Sequence, residues 1–187
     1  MNEIEYRRAL ELLRAGNARA AMEIALALAQ RGDGHGDAVL GAVYEFGGEG
    51  VERDPKKALH CYRASVEKSA SVEGGLGIAR IQYQGTAGER DIDEAFRIYK
   101  VAADMGGHYV AQYMLGKMYL RGEAVEKDLV ESEKYARLAL NNKNIYSFTL
   151  LSAIYEAKGH FWRALTWRLR GCVALTLWRR KYLVRQM

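Results

Sequence analysis

Ala111-Gln112-Tyr113-Met114-Leu115-Gly116-Lys117-Met118-Tyr119-Leu120-Arg121-Gly122, followed by Val125 and Lys127-Asp128, spells a helix, a glycine turn and the cap of a second helix. Ala111, Leu115, Gly116 and Tyr119 stand at i, i+4, i+5 and i+8, the apolar stripe of a 3.6-residue period. The small residue lets a neighbouring helix approach closely, and Leu and Tyr fill the space beside it. A glycine-containing loop ends the helix. Asp128 then sits where a capping side chain opens a second helix, with Glu131 three residues on as a variant of the capping box.

The same text recurs. Leu40-Gly41-Ala42-Val43-Tyr44 is followed by Gly47, Gly50-Val51, Asp54-Pro55, Ala58 and Tyr62, with proline suited to a first helical position. A degenerate copy places Ile78-Ala79 at the Leu-Gly position and Gln82 at the Tyr position, then runs through Gly85, Asp91, Ala95 and Tyr99. Asp54, Asp91 and Asp128 are spaced by 37 residues. A last copy begins at Leu151-Ser152-Ala153-Ile154-Tyr155 and reaches Ala164 through a short turn at Gly159. No single helix pair of this size buries its own apolar face, so the pairs must stack.

The pattern predicts an all-α solenoid over residues 1–187, with helix pairs at 2–31, 35–70, 72–106, 108–142 and 145–171 and a terminal helix over 173–185. Roughly half of the 187 residues are apolar and a quarter charged, which excludes a disordered or collagen-like chain. No apolar run approaches the roughly 20 residues of a membrane span. The opening Met1-Asn2-Glu3-Ile4-Glu5 lacks the pattern of a secretory signal, so a cytoplasmic location is expected. Cys61 and Cys172 form no disulfide or metal-binding spacing.

Charge is uneven. All 23 acidic residues precede residue 157, and eight basic residues follow it, so the tail carries +8 against −3 for the rest. Trp162, Trp167 and Trp178 lie in the same tail.

These residues resemble the Sel1-like repeat, a relative of the tetratricopeptide repeat with a longer inter-helix loop. The match is fullest at Leu40–Tyr62 and Ala111–Asp128, and the outer pairs look more like tetratricopeptide units. The resemblance implies a right-handed α/α superhelix that holds another protein or peptide, without enzymatic activity or cofactor, often in bacterial signalling, secretion or envelope-polysaccharide systems. It places the first helix of each pair along a concave groove. Carried onto this chain, groove positions fall at Glu73, Arg80, Tyr83, Tyr113, Lys117, Arg121, Tyr146 and Glu156, with Tyr6, Leu10, His35, Glu45 and Phe46 in the earlier pairs. Tyr and Arg are frequent anchors of protein interfaces, and Arg80, Lys117 and Arg121 suit a carboxylate.

The alternative is a module associated with nucleic acid or an anionic membrane through Arg163, Arg168, Arg170, Arg179, Arg180 and Lys181, interleaved with tryptophan. A third possibility is self-association through the terminal helix. His35, His60, His108 and His160 form no metal-ligand motif, and no nucleophile stands beside a base in any known catalytic spacing, so neither a metal nor a catalytic residue is expected.

Overall fold

Among the described residues ten helices follow one another: α1 (Asn2–Arg14), α2 (Ala18–Gln30), α3 (Gly34–Phe46), α4 (Pro55–Ser69), α5 (Val72–Gln84), α6 (Ile92–Gly106), α7 (Tyr109–Arg121), α8 (Leu129–Asn141), α9 (Ser147–Ala157) and α10 (Phe161–Val184). The computed structural model describes the backbone of residues 2–184 and the side chains of 3–105 and 107–177. Within that range the molecule is an all-α helical repeat solenoid.

The capping chemistry falls where the repeat puts it. Asp54 accepts from the Lys57 amide at 3.0 Å, Asp91 from Glu94 at 2.8 Å, and Asp128 from Val130 and Glu131 at 2.7 and 3.0 Å. Each bond satisfies an amide that the helix start leaves without a partner. Gly47 and Gly122 close α3 and α7 with φ of +66° and +69°, a conformation that costs a residue with a Cβ.

The chain divides into two compact units, one through Ile98 and one from Tyr99 onward, so α6 begins in the first and ends in the second. In the first unit α1, α2 and α3 enclose Ala9, Ala18, Ala21, Ala25, Val39, Leu40 and Val43. Alanine and glycine dominate because the helices touch backbone to backbone. A Cβ on Gly36 would lie 2.4 Å from the Ala29 amide nitrogen. Further along, Tyr62 of α4 inserts its ring between α3 and α5. A Cβ on Gly41 or on Gly77 would come within 2.5 Å of that ring, from opposite edges. Ala58, Ile78 and Ile81 complete this cluster.

In the second unit α7, α8 and α9 pack through Ala136, Leu150, Leu151 and Ile154, with Leu115 and Met118 fully buried. The Ser132 hydroxyl donates to the Gly116 carbonyl at 2.6 Å, which draws α8 against α7. Tyr119 and Tyr135 stack with centroids 5.8 Å apart.

One boundary differs from the sequence expectation. No separate helix begins at residue 173, because α10 continues unbroken from Phe161 to Val184. Gly171, where the last pair was expected to end, is buried against the Cβ of Phe148, at 2.9 Å from where its own Cβ would lie. The glycine there serves close packing on α9 and does not stop the helix.

Candidate functional site: the first-helix faces

Within the first unit α1 packs on α3 and α3 on α5, and within the second α7 packs on α9.

In the first unit Tyr6 of α1 meets His35 of α3, with ring centroids 5.1 Å apart. The two line an open cleft of about 460 Å³ with Glu3, Arg31, Gly32 and Asp33. Asp33 lies 2.9 Å from Nδ1 of His35 and accepts the His35 amide at 3.0 Å, which fixes the ring. Burial pushes the Tyr6 phenol up to about 12, and the negative charges of Glu73 and Glu3 push the same way. Glu73 is exposed at the start of α5 and belongs to this neighbourhood.

Arg80 does something the sequence reading missed. Its guanidinium grips Glu45 through both carboxylate oxygens, and the Tyr62 hydroxyl donates to the same carboxylate at 2.8 Å. Glu45 is buried, with a side chain only 4% exposed. The carboxylate that Arg80 holds is therefore the chain's own. The Arg80 cation also lies 5.2 Å from the centre of the exposed Phe46 ring. Tyr83 is likewise turned inward: it is buried, and Arg90 covers its ring at 5.3 Å and donates to its carbonyl at 2.8 Å. Arg80, Glu45 and Tyr83 thus close the first unit from inside. Leu10 packs against the first core cluster.

In the second unit Tyr146, 64% exposed, stands at the start of α9 with its ring 6.4 Å from that of Tyr113 on α7. Tyr113 is half-buried and rests on the core of Leu150, Leu151 and Ile154, so it anchors this patch from below and does not stand clear of it. Burial pushes its phenol up. Lys117 follows one turn along α7; partial desolvation lowers its pKa, and the Arg121 cation lowers it further. Arg121 is exposed and 3.6 Å from Glu123. Glu156 is exposed at the end of α9, where Arg168 of α10 pairs with it. A residue expected in the groove and one expected on the basic surface are thus each other's partners.

Of the remaining basic positions, Arg163 lies 5.9 Å from the Tyr155 ring centre and Arg170 lies 5.1 Å from that of Trp167. Arg179, Arg180 and Lys181 lie outside the residues whose side chains are described. A polar hub of this unit, absent from the sequence reading, is Glu133. It accepts from Arg137, Tyr155 and Lys158 at 2.6–2.9 Å. Burial alone would raise its pKa, but these donors outweigh that and hold it at about 2. Among the described residues no group of three or more His, Cys, Asp and Glu side chains is placed to hold a metal ion. None of the described helices is long and apolar enough to cross a membrane.

The Sel1 repeat family model matches residues 35–69, 75–107 and 110–144, more than half of the chain. No curated protein matches it. Among solved structures, a Sel1 repeat protein from Oxalobacter formigenes superposes with a TM-score of 0.75 at 20% identity, over 91% of this chain and 68% of that one. A Sel1 repeat protein from Klebsiella pneumoniae gives 0.69 at 22% identity, over 92% and 86%. The c5321 protective antigen of uropathogenic Escherichia coli, described as having an SLR fold, gives 0.70 at 20% identity, over 90% of this chain and 41% of the antigen. At these identities the structures speak for the fold, and the three matched repeats speak for the family: the chain belongs to the Sel1 repeat family.

Proposed function

We propose that this chain binds another protein through its first-helix faces, with Tyr146, Tyr113, Lys117 and Arg121 as the anchor in the second unit. Sel1 repeat proteins generally mediate protein–protein interaction, and the repeat fold is typically non-catalytic. The observation that carries the reading is the exposed Tyr146 ring set beside Tyr113, with two cations following along α7. Aromatic rings give apolar contact at low entropic cost, and neighbouring cations orient a carboxylate of the partner. In the first unit the Tyr6–His35 cleft offers the same combination of ring and polar edge.

The test is affinity capture from nuclease-treated native lysate. Wild type runs beside a Lys117→Glu, Arg121→Glu, Tyr146→Ala variant with unchanged helicity. One protein retained by wild type and lost by the variant is the expected result. Identical captures on both would reject this face.

A further inference from the structure

The second helices of the repeats, α2, α4, α6, α8 and α10, share one register. Counting from the residue before each helix, the second, sixth, ninth and thirteenth residues lie on one exposed side. In α4 they are Lys56, His60, Arg63 and Glu67. In α2, α6 and α8 they are charged or polar at all but Leu26 and Val130. In α10 they are Trp162, Thr166, Leu169 and Val173, with Trp162 75%, Leu169 58% and Val173 57% exposed. Leu177, 60% exposed, continues the row. A side that is solvated elsewhere in the molecule is here an apolar stripe.

At 1.5 Å per residue the stripe from Trp162 to Leu177 is about 22 Å long, and it is one side chain ridge wide. That is the footprint of a partner helix of about four turns. Its edges differ in charge. At 100° per residue Arg163 and Arg170 share one edge, while Leu165 and Cys172 share the other. Among the described residues no carboxylate forms an ion pair with Arg163 or Arg170. Each lies instead over a ring, Tyr155 and Trp167 respectively. A guanidinium stacked on a ring keeps its in-plane N–H donors for a carboxylate.

We propose that this side of α10 docks an acidic amphipathic helix of a partner protein, with its apolar ridge on Trp162, Leu169 and Val173 and its acids along the Arg163/Arg170 edge. A second copy of α10 would fit the ridge but set cation beside cation, because no acid occurs from residue 157 onward. A helix lying on an anionic bilayer is rich in cations on its polar side, and among the described residues the Leu165/Cys172 edge carries none. The surface is separate from the first-helix face, so the Lys117, Arg121 and Tyr146 substitutions leave this binding unchanged.

The experiment uses the full chain and a displayed library of 18-residue helices. A leucine ridge is fixed, and the flanking positions are randomised among Glu, Gln and Lys. Wild type is expected to enrich glutamate on one flank. Arg163→Glu with Arg170→Glu is expected to enrich lysine there instead. Leu169→Ser is expected to weaken the selected peptide by roughly tenfold or more. All three positions are exposed, and circular dichroism checks that the variants remain folded. No enrichment, enrichment without a flank preference, or an identical selection by Leu169→Ser overturns the proposal. Two other results also overturn it. One is cosedimentation with phosphatidylserine-containing vesicles that Leu169→Ser abolishes; the other is dimerisation in the ultracentrifuge that the same change abolishes.

Discussion

Arg80→Ala separates a structural cation from a recognition cation. The substitution leaves the Glu45 carboxylate buried, with the Tyr62 hydroxyl as its one remaining donor in the network. Removing one partner of a buried ion pair costs about 3–5 kcal/mol, because the other charge stays desolvated. Arg80 is itself 33% exposed, so water enters the space that alanine leaves and screens part of that cost. The expected loss is therefore about 2–3 kcal/mol. Glu45→Gln in the same background removes the stranded charge and recovers a portion, so the double variant is more stable than the sum of the single losses. Urea denaturation followed by helical circular dichroism reads all four proteins. A loss of about 0.5 kcal/mol or less in Arg80→Ala, the range of an exposed pair, would show that Arg80 is not needed to hold the buried Glu45 charge. So would a loss of partner binding with stability untouched.

Gly41→Ala drives a methyl group into the Tyr62 ring, which Gly77 prevents from moving aside; a loss of about 1–3 kcal/mol is expected in the same urea assay, and Tyr62→Leu in that background should relieve part of it. Leu115→Ala, at a fully buried position, should cost about 2–5 kcal/mol, against about 0.5 kcal/mol or less for the exposed Tyr146→Ala. Tyr113→Ala falls between them because the ring is half-buried on the α9 core, and equal losses at 113 and 115 would reject this packing. The Glu133 hub predicts an acid transition: as the pH falls the unfolded chain takes up the proton first, near the ordinary value of 4.5, and the folded chain only near 2. Its stabilisation is complete above about pH 4.5 and is lost toward pH 2. The partly exposed heads of Arg137 and Lys158 limit it to about 1–2 kcal/mol, and Glu133→Gln should flatten that part of the stability curve.

The periodic features were legible because each is a local rule. Asp54, Asp91 and Asp128 cap helices through bonds to residues two or three positions away, and glycine at 47 and 122 ends them for reasons of backbone conformation. The direction in which each first helix turns its polar residues was less legible. It depends on partners distant in sequence: Arg80 turns to Glu45, 35 residues earlier, and that carboxylate is held in turn by a tyrosine wedged between two glycines. A signal was present in Gly41, Tyr62 and Gly77 together, since a large ring beside two residues without side chains implies an inserted ring with a hydroxyl in need of a partner. The expected helix end near residue 171 failed for a related reason. Glycine marks both a stop and a close approach, and only the Phe148 side chain of α9 tells which.

The first-helix assignment is tested most directly by a photo-crosslinking amino acid placed singly at Tyr146, at Arg121 and, on the exposed side of the second helix α4, at Lys56, with expression in the native cell. One and the same protein is expected joined at 146 and 121 and absent at 56. Crosslinks at 56 with none at 146 or 121 would contradict the assignment.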